Sequence, residues 1–251
     1  MSQPHVDGHP FHADFAGTGA LDDADTSTHI TEATMAELRE LAGRYPQPRS
    51  ALIPMLHLVQ SVDGRISPAG VRACAAVLGL TQAQVMGVAT FYTMFKRRQA
   101  GVHHLGVCTT TLCAVMGGDL LFEHISRRLG IGDGETTPDG VFSLEAVECN
   151  AACDFAPVMM VNWEFMDNMT PEKADKILDD LAAGRPVSAD RGAVLTSWRN
   201  SERVLAGFPD GRADEGPPSG EASVMGLRVA KWHGWQAPLA PYSPGTGGEK
   251  R

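Results

Sequence analysis

The sequence is short of positive charge. It carries 21 Lys and Arg against 30 Asp and Glu, for a net charge of −9 and a pI of about 5.4. Nucleic-acid binding requires clustered Lys and Arg, so nucleic acid is not expected to be the main partner. No Lys or Arg precedes Arg39. Because secretory signals begin basic and transit peptides are rich in Arg, we do not expect a targeting segment.

Long apolar runs are also missing. The most apolar stretch, Ala51 to Val62, is interrupted by Pro54, His57 and Gln60, whereas a membrane helix needs roughly 20 apolar residues. We therefore expect any link to a membrane to run through other subunits. The protein is predicted to remain in a bacterial-type cytoplasm, where reducing conditions favour a metal site over disulfides.

Cysteine is scarce, and two common cysteine motifs are absent. Four of the five cysteines form two close pairs: Cys108 and Cys113, spaced C-x4-C, and Cys149 and Cys153, spaced C-x3-C. The absence of C-x-x-C excludes a thioredoxin-type redox disulfide. Neither pair begins with C-x-H, which excludes a Rieske centre with two histidine ligands.

Two thiolate pairs brought together by a fold are the ligands of a structural zinc ion or of an iron–sulfur cluster. Zinc sites prefer C-x2-C, although two to four intervening residues occur. The wider spacings here favour a two-iron cluster but leave zinc open. Small neighbours such as Ala151 and Ala152 would let backbone N–H groups approach cluster sulfurs. The fifth cysteine, Cys74, lies on an apolar helix face and is predicted to be a buried core thiol.

Composition and periodicity divide the chain into four segments. Residues 1–28 are predicted to be a flexible arm, residues 29–98 a small helical bundle, residues 99–186 a sheet-containing domain, and residues 187–251 a Gly- and Pro-rich extension. The fold class is therefore α+β. The histidines of the arm are interpreted as part of a polar tail rather than a metal site: His5, His9 and His12.

Helix signals dominate residues 29–98. Apolar residues recur at helical spacing around Leu38. Candidate N-terminal caps precede three further helices: Ser50, Ser67 with Pro68, and Thr81 with Gln84 in a capping box. The fourth helix is expected to bury one apolar face: Val85, Val88, Phe91, Tyr92 and Phe95.

The spacing of apolar residues changes in the third segment, residues 99–186. The pattern predicts, in order, a strand at 103–107, a helix at 117–129, a strand at 141–147, an apolar strand at 158–161 with a hairpin partner at 163–166, and a helix that Thr170 caps and Gly184 ends. This order matches a thioredoxin-like half.

The C-terminal extension contains three of the four tryptophans, Trp198, Trp232 and Trp235. Its Pro217-Pro218 and residues 245–248 are predicted to be disordered. Large aromatics in a segment too poor in apolar residues to fold alone usually dock on something. We therefore expect the extension to lie along partner subunits, with these three side chains as anchors. Packing of the tryptophans back on the parent domain is the alternative.

Four stretches resemble one known family. They are GVATFYTMF at 87–95, VCTTTLC at 107–113, LGIGDGETTPDGVFSLEAVEC at 129–149 and NAACDFAPVMMVN at 150–162. From about Tyr45 to Gly184 the chain resembles the 24-kDa-type [2Fe–2S] subunit of NADH:quinone oxidoreductase, or respiratory complex I, which is called the E subunit in bacteria. In that family a helical bundle precedes a thioredoxin-like [2Fe–2S] ferredoxin domain.

The resemblance implies one [2Fe–2S] cluster, because Cys108, Cys113, Cys149 and Cys153 fall on the family's ligand positions. It implies an electron-transfer subunit whose cluster lies near the FMN of a partner flavoprotein, which also binds NADH. A large iron–sulfur subunit is the second expected partner, in a peripheral arm on the cytoplasmic side of the inner membrane. No G-x-G-x-x-G follows a strand in this chain, so we expect flavin and nucleotide on the partner and no catalytic residue here.

Two alternatives stay open. The chain could be the equivalent diaphorase subunit of an NAD-linked hydrogenase or formate dehydrogenase, or a zinc-stabilised adaptor with no redox role.

The sequence also suggests three local features. The first is a cis peptide at Ala156-Pro157, and the second is Phe155 as either a cluster shield or plain core. The third is a polar loop at Thr136, Thr137 and Asp139 that is either a partner contact or a simple turn.

Overall fold

Nine α-helices and five strands make up the described part of the chain. A computed structural model describes residues 28–216 and 220–236. The helices are α1 (Glu32–Gly43), α2 (Leu52–Asp63), α3 (Pro68–Leu78), α4 (Gln82–Phe91), α5 (Thr111–Val115), α6 (Gly118–Leu129), α7 (Pro171–Ala182), α8 (Trp198–Leu205) and α9 (Glu221–Trp232). The strands are β1 (His103–Cys108), β2 (Glu135–Thr136), β3 (Phe142–Val147), β4 (Met159–Val161) and β5 (Glu164–Met166). The predicted flexible arm, apart from Thr28, and the predicted disorder at Pro217-Pro218 and 245–248 lie outside the described residues.

The strands form one sheet in the order β2-β3-β1-β4-β5. β4 runs antiparallel to β1, with Met160 opposite Gly106, and forms an antiparallel hairpin with β5, where Met160 faces Phe165. The predicted strands and the predicted hairpin are thus confirmed. The sequence pattern does not predict the two-residue β2 or the short α5.

The described residues divide into two compact units. The first comprises residues 28–104, 135–143 and 196–211 and contains α1–α4 and α8. The second comprises residues 105–134, 144–195 and the described residues from 212 onward, and contains α5–α7, α9 and the β4–β5 hairpin. Residues 196–211 come from the C-terminal extension, yet they belong to the unit that holds the helical bundle.

The first unit has an apolar core between its helices. Leu41, Met55 and Val71 are at most 1% exposed, and Cys74 is buried beside them, as predicted. Burial raises the pKa of the Cys74 thiol to about 12. Ser67 caps α3 by accepting a hydrogen bond from the Gly70 N–H at 2.9 Å, which confirms that helix start.

Two local predictions for this unit are wrong. Ser50 does not cap α2, because it lies in a 3₁₀ turn at Pro48–Ala51 that leads directly into the helix. Proline favours the first position of a helical turn, so the helical conformation begins earlier than a cap at Ser50 would allow. Phe91 and Tyr92 are 77% and 39% exposed rather than buried, since α4 ends at Phe91 and Tyr92 is already extended.

No single helix among the described residues is both long and apolar enough to cross a membrane. Helices α3 and α4 reach the required length and hydropathy only as a pair, and the chain bends by 117° between them.

The second unit pairs α6 with α7. Asp175 of α7 accepts a hydrogen bond from His124 Nε2 at 2.8 Å and forms an ion pair with Arg128 at 2.6 Å, both from α6. The hydrogen bond from His124 is the main reason that the pKa of Asp175 lies below its usual range. Thr170 caps α7 through the Lys173 N–H, as predicted.

Helix α8 packs against α2 and buries a tryptophan. Trp198 is 0% exposed, and its ring lies 5.0 Å from that of His104. The prediction that Trp198 anchors the chain to a partner is therefore wrong, because the side chain is buried inside its own chain. Trp232 and Trp235 are 83% and 65% exposed, and their anchoring role stays a prediction.

A buried carboxylate fixes α8 on α2. Glu202 is 0% exposed. Its Oε2 lies 2.7 Å from His57 Nδ1 and accepts a hydrogen bond from Gln60 Nε2 at 2.6 Å. Since a buried polar group left without its partner costs free energy, these contacts specify how α8 is seated.

We expect Glu202→Ala to lower the free energy of unfolding by about 3 kcal/mol, because His57 and Gln60 would lose their side-chain partner in the core. Glu40→Ala is the matched control. It removes an exposed pair with Arg44, and such pairs are worth about 1 kcal/mol or less. Urea titration of both variants checks the difference, and equal stabilities would contradict this role for Glu202.

Candidate metal centre

The four paired cysteines lie close together in the second unit. Cys108 ends β1 and Cys113 lies within α5, whereas Cys149 follows β3 and Cys153 begins a 3₁₀ turn, Cys153–Phe155. Cys108 and Cys113 pack against Ala152, the residue before Cys153, and Cys149 Sγ lies 3.8 Å from Cys153 Sγ. The fold thus brings all four predicted site residues together.

The two pairs differ in exposure. Cys108 and Cys113 are each 1% exposed and pack with Ala152 and Val158. Cys149 and Cys153 are exposed. The site therefore has a buried side and a side that faces the surface.

The distance within the exposed pair fits two sulfurs that bind one metal ion. Cys149 Sγ lies 3.8 Å from Cys153 Sγ, and two sulfurs bound tetrahedrally to one metal at ~2.3 Å lie about 3.8 Å apart. Among the described residues, no three His, Cys, Asp or Glu side chains converge closely enough to hold a single ion. Two separate thiol pairs suit two metal ions better than the one zinc ion of a four-cysteine site.

The protonation of these thiols also depends on burial. Burial raises the pKa of Cys113 to about 11, although a hydrogen bond from the Val158 backbone opposes this shift. The neighbouring Cys149 thiol is the largest cause that raises the pKa of Cys153. Cysteine binds metal as the thiolate. A bound cation would therefore offset the free-energy cost of ionising Cys113 and Cys153.

Residues 149–155, named the ligand loop below, have an unusual backbone. Ala151 has a positive φ of 53°, and its N–H donates to Cys149 Sγ at 3.4 Å. This contact is the backbone approach to sulfur that the small residues predict. The Ala156-Pro157 peptide that follows the loop is cis, as predicted.

Asn150 in the ligand loop supplies a second observation about what the site holds. Its Nδ2 is buried and has no hydrogen-bond partner among the described residues. Buried amide groups are nearly always hydrogen-bonded. A sulfur-rich cluster bound next to Cys149 would provide acceptors for this donor, so the site fits an iron–sulfur group.

Gly118, the first residue of α6, is a site residue that the sequence pattern does not reveal. A Cβ at this position would lie 2.5 Å from the Cys108 carbonyl oxygen and 2.9 Å from that of Cys113. Only glycine allows α6 to approach the backbone of the buried pair so closely. The adjacent Gly117-Gly118 is the available signal, but it indicates a helix start rather than a tertiary contact.

Phe155 packs against the buried cysteine pair and is only partly buried. Its ring lies 5.2 Å from the guanidinium carbon of Arg191, which also lies 4.4 Å from the ring of Phe165. Arg191 in turn pairs with Asp167 at 2.7 Å. Phe155 therefore belongs to an apolar layer beside the cysteines. This position fits both a cluster shield and plain core, so the shielding role stays a prediction.

The polar loop at Thr136, Thr137 and Asp139 folds back on itself. Asp139 accepts hydrogen bonds from Thr137 Oγ1 at 2.5 Å and from the Val141 N–H at 3.0 Å. The Thr137 hydrogen bond is the main cause that lowers the pKa of Asp139. These contacts favour the simple turn over the partner contact.

Comparison with known proteins identifies the relatives of this chain. The thioredoxin-like [2Fe–2S] ferredoxin family matches residues 38–182. The E subunit of NADH-quinone oxidoreductase from Mycobacterium tuberculosis is 53% identical over 206 residues, 82% of this chain and 82% of that protein. NADH-quinone oxidoreductase subunit 2 of Thermus thermophilus is 39% identical over 151 residues, 59% of this chain and 83% of that protein. An NAD+-reducing [NiFe]-hydrogenase structure aligns with a TM-score of 0.49 at 18% identity, over 53% of this chain and 23% of that chain.

We expect Gly118→Ala to destabilise the fold by about 1–3 kcal/mol, because the added methyl overlaps the backbone of the buried cysteines. Gly87→Ala, in α4, is the matched control, since its Cβ would meet nothing within 4 Å. Urea unfolding of the metal-free protein and the alkylation rate of Cys108 and Cys113 check both variants. A Gly118→Ala protein with unchanged stability and thiol reactivity would contradict the contact.

Proposed function

The chain belongs to the thioredoxin-like [2Fe–2S] ferredoxin family, and on that premise we propose that it is the electron-transfer subunit of an NADH-quinone oxidoreductase. Its 53% identity to the mycobacterial relative, over most of both chains, supports this assignment. The chain carries one [2Fe–2S] cluster and works as part of a membrane-associated oxidoreductase complex, not as an enzyme alone.

The observation that carries the proposal is the pairing of the thiols. We infer that Cys108 and Cys113 hold one iron and that Cys149 and Cys153 hold the other, because the sulfurs of the second pair already lie 3.8 Å apart. Such a cluster takes up and releases one electron at a time at a potential set by hydrogen bonds, charge and solvent exposure.

The chain's own residues divide the work at this site. The buried pair holds the cluster against the interior beside Val158, where water is excluded. The exposed pair gives the cluster one open face, and the Ala151 N–H stabilises negative charge on Cys149. An open face is where a redox partner can approach, so electrons are expected to enter and leave on the side of Cys149 and Cys153.

The specific partners that we propose are those that the family resemblance implies. No dinucleotide-binding glycine motif follows a strand in its sequence, so we assign FMN and NADH to a flavoprotein subunit that faces the exposed cysteine pair. A large iron–sulfur subunit would be the second neighbour. The complex would place this chain in a peripheral arm on the cytoplasmic side of the membrane.

The alternatives have less support. The two named sequence relatives are NADH-quinone oxidoreductase subunits, which favours that complex over the diaphorase part of an NAD-linked hydrogenase or formate dehydrogenase. Identification of the subunits that co-purify with the chain from its native host separates these assignments. A zinc adaptor is disfavoured by the family match and by the two separate thiol pairs.

Alanine substitution at each paired cysteine tests the ligand assignment. We expect Cys108→Ala, Cys113→Ala, Cys149→Ala and Cys153→Ala to lose most iron, acid-labile sulfide and visible absorption, because each removes one of four thiolate ligands. Cys74→Ala is the control and should keep all three, since Cys74 lies in the first unit's core. Wild-type protein with one zinc and no labile sulfide would contradict the proposed function.

Asn150 provides a test of cluster tuning. Asn150→Leu removes the buried donor at similar size, so we expect the reduction potential to fall on the order of 59 mV, a tenfold change in a one-electron equilibrium. The same substitution at exposed Asn200 in α8 should leave the potential unchanged. A redox titration followed by electron paramagnetic resonance measures both, and equal potentials would rule out this hydrogen bond.

A further inference from the structure

The C-terminal helix α9 packs on the loop that carries the exposed cysteines. Ser223 Oγ donates a hydrogen bond to Asp154 Oδ2, next to Cys153. Gly220, which precedes α9, lies so close to Phe155 that a Cβ there would be 2.3 Å from the ring's Cζ. These contacts join the extension to the 3₁₀ turn Cys153–Phe155, within the second unit.

Other contacts in the described part of the chain hold Phe155 rather than Cys153: the Asn168 N–H donates to the Phe155 carbonyl at 2.8 Å, and the Phe155 ring packs on the buried cysteine pair. Within the ligand loop Cys149, Ala151, Cys153 and Asp154 are exposed, and the 3₁₀ turn has no side-chain cap. Segments with little burial open locally at low free-energy cost. Opening here would move Cys153, so contacts on either side of it determine how long the sulfur stays in place.

Helix α9 is not held in place by a buried face of its own. None of its residues is buried, so the contacts at Gly220 and Ser223 are important for seating it. The close approach to Phe155 also explains why residue 220 is glycine. Its φ is −88°, which any residue adopts, so the backbone conformation does not require glycine. The contact with Phe155 does.

We propose that α9 restrains the ligand loop, keeps Cys153 in its binding position and slows loss of the metal from the exposed side of the site. The C-terminal extension thereby acts on the cluster from within the chain, in addition to any contact that its exposed tryptophans make. The inference rests on the proposed [2Fe–2S] function, and it assigns Gly220, Ser223 and Asp154 as positioning residues for that site.

A matched pair of glycine variants of the full-length protein tests the restraint. Gly220→Ser keeps a residue suited to a helix N-terminus but adds a Cβ that overlaps Phe155. Gly226→Ser makes the same change inside α9, where the Cβ would meet nothing within 4 Å. Ser223→Ala removes the hydrogen bond to Asp154 without adding bulk.

Two readouts separate this inference from the proposed function. The first is hydrogen–deuterium exchange of the ligand loop, and the second is the bleaching rate of the cluster with excess chelator. We expect faster exchange and faster bleaching in Gly220→Ser and wild-type rates in Gly226→Ser. In Ser223→Ala both rates should rise roughly fivefold, which corresponds to the loss of one ordinary hydrogen bond.

Wild-type exchange and bleaching in both Gly220→Ser and Ser223→Ala would overturn the restraint. A wild-type protein that binds no cluster would instead overturn the proposed function, and loop exchange in the same variants would still show whether α9 holds the loop. If Gly226→Ser accelerated exchange and bleaching as much as Gly220→Ser does, the inference would also be contradicted. The faster rates would then come from a change within α9 and not from its contact with Phe155.

Discussion

The burial of two thiols, Cys108 and Cys113, is the constraint on which the rest of the site depends. Burial raises the pKa of Cys113 to about 11, so ionising this thiol costs more free energy than ionising an exposed thiol unless a cation binds. A metal centre on this side supplies that charge. Gly118 lets α6 close against the same backbone, and in the proposed centre the exposed Cys149 and Cys153 would complete the ligand set from the surface.

The C-terminal extension is more closely connected to the fold than its composition suggests. Its first helix is seated in the first unit by Trp198 and Glu202, both 0% exposed. Its second helix contacts the ligand loop of the second unit through Gly220 and Ser223. The extension therefore contributes to each unit separately, and a truncation that removes both helices would affect stability as well as any partner contact.

Local signals predict the structure well, and tertiary contacts do not follow from them. The caps at Ser67 and Thr170 mark real helix starts because capping involves only neighbouring residues. Helix α8 escapes prediction because its buried face includes Glu202, whose charge indicates an exposed side chain until its partners on α2 are known. The cysteine pairs are visible in the sequence, whereas Gly118 and Asn150 matter only through residues that folding brings close.

Iron-edge anomalous diffraction from the purified holoprotein would show how the four cysteines share two irons, because it locates each iron among the four sulfurs. The account predicts two iron positions, one bound by Cys108 and Cys113 and the other by Cys149 and Cys153. A single metal position shared by all four sulfurs, or an iron bound by one cysteine from each pair, would contradict it.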